Sequence, residues 1–367
     1  MKQINVLAKV SESCPLRCIY CYEGSKSNKV MDKKTLERMV ELLQTRVGGD
    51  STEYIWHGAE PLTAGIAFYK RALELQERFG EGHKISNSMQ SSGVLLTPEF
   101  ADVLVEGGIG LGFSLDGPEE VHNKTRRFAS GRSSFKQVLR GIELMRARGE
   151  KVGVIAVLTK LSLPHLDDMY DFFKSTGLSF KINPILDCGF ARGQGSDLHL
   201  SLDERTEAIC HLFDRWFFDE DGRSIEYGNM KDLVQAMFTR RGTSCNNLPS
   251  CQSAFLSIGA DGTVYPCSRF DDLNYGNINT AENLDEVLQH PLRVQLLNRF
   301  ETISECQPCD YSFLCHGGCM HTAYLTGDIM EKDPSCLANK RIYEHIAGRV
   351  LDEIKKDGAL LVTKSFT

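Results

Sequence analysis

From residue 4 to about 217, short apolar runs alternate with longer stretches in which apolar residues return every three or four positions. The first pattern predicts strands and the second amphipathic helices. Strands are expected at 4–9, 53–57, 84–90, 109–115, 151–159 and 179–186. Helices are expected at 32–47, 66–79, from Pro98 onward, and at 134–148, 165–175 and 203–217. In the first helix Leu36, Met39, Val40, Leu43 and Val47 share one face, and Gly48 and Gly49 end it. Six strand–helix units in a row predict an α/β fold with a parallel sheet and helices outside. Six units are fewer than the eight of a closed barrel, so the expected architecture is a partial (β/α)6 barrel. In such folds the chemistry gathers at the C-terminal ends of the strands.

The periodicity weakens after about residue 230, and eight cysteines fall between 245 and 336. Dense cysteines in chain of low periodicity build themselves around metals. The expected organisation is a barrel over 1–230, a cysteine-rich domain over 231–352 and a tail over 353–367. The sequence shows no internal repeat and no low-complexity segment.

The 367 residues are 41% hydrophobic and 25% charged, with a net charge of −7. That balance predicts no nucleic-acid partner. No window reaches the roughly 18 apolar residues of a membrane span, so no membrane partner is expected. The start, MKQINVLAKV, lacks the apolar core and cleavage site of a signal peptide, which predicts a cytoplasmic protein. Thirteen cysteines in a reducing compartment point to metal binding or catalysis.

Three of them, Cys14, Cys18 and Cys21, crowd into the loop after the first strand. Three thiolates leave a structural zinc site one ligand short. On a cubane iron–sulfur cluster they hold three irons and leave the fourth open for a substrate or cofactor. A zinc loop and a redox thiol cluster are the alternatives. CPLRCIYC, with aromatic Tyr20 before the third cysteine, resembles the signature of the radical S-adenosylmethionine (SAM) enzymes. That resemblance implies a [4Fe–4S] cluster whose open iron is chelated by SAM, and reductive cleavage of SAM to a 5′-deoxyadenosyl radical that abstracts a substrate hydrogen. HGAEP (57–61) is similar to the family's Gly-Gly-Glu-Pro segment, with Ala59 at the second glycine. By resemblance Gly58, Ala59 and Glu60, then Gln90 and Ser92 in QSSG and Ser114 in SLDGP, contact SAM. Arg126 stands where relatives bind the SAM carboxylate, and Arg127 is the near alternative.

Of the other cysteines, Cys188 and Cys210 stand apart and read as core thiols. The remaining eight suit two fully ligated clusters or two zinc sites. CQPCDYSFLCHGGC (306–319) and DGTVYPCSRF (261–270) resemble the SPASM extension of peptide- and protein-modifying radical enzymes. The resemblance implies one auxiliary [4Fe–4S] cluster on Cys245, Cys251, Cys267 and Cys319, and another on Cys306, Cys309, Cys315 and Cys336.

Relatives include anaerobic sulfatase maturases and enzymes that crosslink ribosomal peptides. The sulfatase maturases carry a basic aspartate directly after the third ligand of the first auxiliary cluster; here that position is Ser268. A neutral hydroxyl does not remove a proton unaided, although Asp271 and Asp272 lie close by. The expected reaction is therefore a side-chain crosslink in a ribosomally made precursor peptide, with a cyclophane-type carbon–carbon bond favoured. Formylglycine formation is the alternative reaction, and an iron–sulfur electron carrier or zinc scaffold the alternative without catalysis. Tyr22, Glu23, Asp187 and Asp271 are the candidate residues at the reacting centre. Implied partners are an electron donor such as flavodoxin or ferredoxin and a separate peptide-recognition protein, since the chain begins at its first strand.

Overall fold

The computed structural model describes residues 3–357 except 25, 47–49, 221–224 and 243. The strands, in chain order, are β1 (Gln3–Ser11), β2 (Ser51–Gly58), β3 (Lys84–Ser91), β4 (Ile109–Ser114), β5 (Gly153–Leu158), β6 (Ser179–Pro184), β7 (Phe255–Ile258) and β8 (Val264–Tyr265). The helices that follow the first six are α1 (Lys33–Gln44), α2 (Ile66–Phe79), α3 (Pro98–Glu106), α4 (Glu119–Thr125) with α5 (Phe135–Arg146), α6 (Leu166–Ser175) and α7 (Leu202–Phe217). The architecture is mixed α/β, with the parallel sheet of a partial barrel and a cysteine-rich C-terminal region.

Two compact units make up the chain. One comprises Met1–Leu115, Thr125–Gly153 and Cys251–Asn298; the other comprises Asp116–Lys124, Val154–Ser250 and Arg299–Thr367. In the first, β1 to β4 lie side by side in sequence order, each parallel to the next. Along β1 the buried positions alternate as Ile4, Val6, Ala8 and Val10, the period of a pleated strand. The face of α1 expected from the sequence is inside: Leu36, Met39, Val40 and Leu43 are buried. Asp32 starts that helix by accepting from the Thr35 amide at 2.7 Å. The helix ends at Gln44, while Val47, Gly48 and Gly49 lie outside the described residues.

The sequence suggests a hairpin at 261–270 with Gly262 as its turn residue, but not that its first strand pairs with β1. β7 joins the sheet on the far side of β1, parallel to it, and β8 returns antiparallel to β7. The cysteine-rich region thereby adds strands to the unit that carries Cys14, Cys18 and Cys21. Residues Asn5 to Ala8 pair with Phe255 to Ile258. The added segment is only four residues long, too short for periodicity to declare.

In the second unit β5 and β6 are neighbours. Phe180 of β6 stacks between Phe173 and Tyr227, with ring centroids 4.8 Å apart on each side. The helix Cys336–Asp357 packs on α7, where Asp214 receives His345 at 2.8 Å and Arg349 at 2.9 Å. This helix continues through 353–357, where the sequence reading began a tail; residues 358–367 lie outside the described residues. Among the described residues no helix is long and apolar enough to cross a membrane.

Candidate active site

The three-cysteine loop leaves the C-terminal end of β1 and is laced to the segment before α5. The Arg17 amide donates to the Arg127 carbonyl at 2.8 Å, and the Ile19 amide to the Thr125 carbonyl at 3.1 Å. Leu16 and Phe128 form a bridge. Cys18 is buried, and Cys14 and Cys21 are half-buried. Burial pushes the Cys14 thiol up, with the Lys26 ammonium pulling the other way. The Arg126 guanidinium, itself buried, points at the Cys18 sulfur from 3.9 Å and lies 5.1 Å over the Tyr20 ring. Arg127 instead reaches out to the Gly131 carbonyl.

The β2 end is pinned against β1. The Ala59 amide donates to the Ser11 carbonyl at 2.9 Å. Gly58 has φ +121°, and a Cβ there would meet the same carbonyl oxygen at 2.5 Å. Gly58 is thus required by the crossing of two backbones. Glu60 is 1% exposed and fully engaged. One oxygen accepts from the Ser91 hydroxyl at 2.6 Å and the Leu62 amide at 3.2 Å. The other accepts from the Ser92 amide at 3.0 Å and from the Ser92 hydroxyl. Those four bonds fill the lone pairs of a carboxylate, so Glu60 and Ser92 hold each other and tie the β2 end to the β3 end. Gln90 donates to the Ser114 hydroxyl at 3.1 Å, joining two more of the sequence candidates across β3 and β4.

Tyr22, Glu23 and Asp271 line a single cavity of about 210 Å³, with Lys9 and Ser268 in its wall. Lys9 pairs with Glu23 at 3.0 Å and donates to the Ser268 carbonyl at 3.3 Å. Burial pushes the Glu23 carboxyl up, against the pull of Lys9. The Tyr22 hydroxyl lies 3.2 Å from His57 Nδ1 and also meets the Ser268 side chain. Burial holds the Tyr22 phenol well above its ordinary range. Burial and then Lys9 bring His57 down to about 4, so its ring is neutral at pH 7. Lys9 and His57 escaped the sequence reading. Only their places, on β1 and next to Gly58, could have signalled them. Asp187 belongs to the second unit, where it accepts from the Gly193 amide at 3.1 Å and faces His199 at 3.4 Å.

Cys306, Cys309, Cys315 and Cys336 come together within the second unit. Burial pushes the Cys306 thiol up, and Cys336 and Cys309 add to it. Burial takes Cys315 up to about 12, with Cys336 the next cause. Glycines 317 and 318 turn the chain with φ of +82° and +73°. Two residues without a sequence signal build this region. Arg299 donates to the carbonyls of Gly317, Gly318, Ile329 and Glu331. Asp333 accepts from the Cys319 amide at 3.0 Å and the Ser335 amide at 2.7 Å.

Of the other four auxiliary cysteines, Cys251 and Cys267 lie in the first unit and Cys245 and Cys319 in the second. Cys251 and Cys267 both act on the Tyr275 phenol. Buried Gln252 connects their segments through the Tyr275 hydroxyl at 2.6 Å and the Pro266 carbonyl at 2.8 Å. Among the described residues no three Cys, His, Asp or Glu side chains close around a single metal ion. The donor set of Cys14, Cys18 and Cys21, and that of Cys306, Cys309, Cys315 and Cys336, is all thiol, the ligand type of iron–sulfur clusters.

Residues 9–173 match the Radical SAM superfamily, and residues 245–310 match SPASM, an iron–sulfur cluster-binding domain. The chain carries a radical SAM domain and a SPASM domain. The cofactors of such domains are [4Fe–4S] clusters and SAM. The chain is 28% identical to a cysteine-type anaerobic sulfatase-maturating enzyme of Clostridium perfringens, over 96% of this chain and 98% of that protein. It is 27% identical to a serine-type enzyme of Bacteroides thetaiotaomicron, over 97% and 92%. Among solved structures, native anSMEcpe with bound AdoMet superposes with a TM-score of 0.86 at 26% identity, covering 96% of this chain and 99% of that one. Streptococcus suis SuiB bound to its precursor peptide SuiA gives 0.67 at 16% identity, covering 91% and 76%; that likeness is one of fold.

Proposed function

We propose that this radical SAM enzyme is a polypeptide maturase that oxidises a Cβ of a ribosomally made precursor peptide and closes a side-chain crosslink. Cys14, Cys18 and Cys21 would hold the SAM-chelating cluster, and the two sets of four cysteines the auxiliary clusters. Gly58, Ala59, Glu60, Gln90, Ser92, Ser114 and Arg126 would surround SAM. When bound, these cofactors supply the 5′-deoxyadenosyl radical that takes the Cβ hydrogen, and they accept the surplus electron. The chain's own part is to hold the peptide residue, keep water away and receive the proton displaced when the new bond forms.

The observation that carries the proposal is the cavity beside the end of the cysteine loop. It holds Tyr22 and Glu23, next to Cys21, and Ser268, next to Cys267. Its volume suits one side chain. At Ser268 the cavity offers a hydroxyl bonded to Tyr22 where a carboxylate base is expected for formylglycine formation. Glu23 and Asp271 remain as the proton acceptors in its wall. The nearly full-length similarity to sulfatase-maturating enzymes favours a second reading, formylglycine on a protein serine or cysteine.

The test is co-expression with the short peptides encoded beside the gene, followed by anaerobic turnover with SAM and mass spectrometry. The crosslink reading predicts a loss of two hydrogens, an intact backbone and no reaction with hydrazide. A product captured by hydrazide contains an aldehyde and sinks the crosslink in favour of formylglycine. No SAM-dependent change in any polypeptide sinks the maturase reading.

A further inference from the structure

Arg126 has an arrangement that carboxylate binding does not require. Its N–H is directed at the Cys18 sulfur from 3.9 Å, within the range of a hydrogen bond to sulfur. The guanidinium carbon lies over the Tyr20 ring, 5.1 Å from its centre, within the range of a cation–π contact. The backbone on both sides is tied to the cysteine loop by the Arg17–Arg127 and Ile19–Thr125 bonds. The Arg126 carbonyl itself accepts from the buried Ser134 hydroxyl at 3.0 Å. Both Arg126 and Tyr20 are 8% exposed, so water screens the contact little.

We propose that Arg126 tunes the reduction potential of the cluster held by Cys14, Cys18 and Cys21, by donating a hydrogen bond to the Cys18 sulfur. The inference rests on the assignment of that cluster in the proposed function. A reduced cluster carries one more negative charge, concentrated partly on its sulfurs. A donor and a fixed positive charge beside one of those sulfurs stabilise the reduced form more than the oxidised one. Guanidinium stays charged at any working pH, so the effect does not vary with pH. Tyr20 is the positioning residue: its ring keeps the fork against Cys18. This role concerns the resting cluster and is present before SAM arrives.

The experiment is a redox titration of the full chain, reconstituted anaerobically, without SAM, and followed by electron paramagnetic resonance. The relevant signal is the one that changes shape when SAM is added afterwards. The auxiliary signals serve as internal references. Arg126→Gln keeps a donor without charge, and Arg126→Lys keeps charge without the planar fork. Both should move the SAM-responsive signal to more negative potential and leave the auxiliary signals and the iron content unchanged. Tyr20→Leu should move it the same way, and it keeps the test alive should an Arg126 variant fail to fold. Unchanged potentials in all variants, with only SAM affinity reduced, would overturn the inference and leave a carboxylate-binding arginine. Absence of any SAM-responsive signal in the wild type would instead defeat the cluster assignment beneath it.

Discussion

Replacing Glu60 by glutamine exchanges one carboxylate oxygen for an amide nitrogen with almost no change of shape. The structure places one hydroxyl and one backbone N–H on each oxygen: Ser91 and the Leu62 amide on one, both groups of Ser92 on the other. A hydroxyl can rotate and accept from the new amide. A backbone N–H cannot. Whichever way the glutamine turns, one buried N–H loses its partner, and the bonds that remain lose their charge assistance. Hydrogen bonds to charged groups contribute about 1.5–3 kcal/mol, and an orphaned buried donor costs about 1–3 kcal/mol. The variant should therefore lose about 3 kcal/mol of stability before any cofactor is bound. The assay is denaturant unfolding of the apo-protein under anaerobic, reducing conditions. A loss below about 1 kcal/mol, together with weakened SAM binding, would refute the clamp and return Glu60 to the role of a direct ligand.

Three further outcomes follow. Gly58→Ala puts a methyl 2.5 Å from the Ser11 carbonyl at a φ of +121°, and thermal unfolding should register a loss of about 2 kcal/mol or more. His57 is depressed to about 4 against an ordinary value near 6.5. Its contribution is present above pH 6.5 and lost as pH falls toward 4, by up to about 3 kcal/mol, so unfolding free energies of His57→Gln should show a shallower acid slope than the wild type. Arg299→Met removes the donors to the Gly317 and Gly318 carbonyls in the Cys315–Cys319 turn and to those of Ile329 and Glu331; iron and sulfide analysis should then show about one cluster fewer per chain, with the SAM-responsive signal retained.

Much of this was legible in the sequence, and the exceptions have physical causes. The six strands and their helices announced themselves because one face of each is buried and the period follows from the geometry. The bounds of α2 and α6 differ from expectation by a residue at most. The grouping of the auxiliary cysteines comes from the resemblance of CQPCDYSFLCHGGC to the SPASM pattern, since spacing alone does not say which thiols share a cluster; in the structure Cys306 feels the charge of Cys336 and Cys309, and Cys315 that of Cys336 and Cys306. The pairing of β7 with β1 was hidden because the four residues Phe255–Ile258 are too few to carry a period. Motif likeness points to Gly58 and Glu60 as residues beside the cofactor, without saying what each touches in the protein. Their contacts with Ser11, Ser91 and Ser92 arise from the parallel pairing of β1, β2 and β3 and appear only once the strands are side by side. Arg299 and Asp333 were invisible for a related reason: an isolated arginine or aspartate among many acquires meaning only from the carbonyls and amides that converge on it.

The most direct test of the account is reductive cleavage of SAM by the anaerobically reconstituted protein, read as 5′-deoxyadenosine after addition of dithionite. The account predicts that product from the wild type and from variants lacking auxiliary ligands such as Cys309, and none from Cys14→Ala, Cys18→Ala or Cys21→Ala. No 5′-deoxyadenosine from the wild type, or an undiminished yield from any of those three variants, would contradict it.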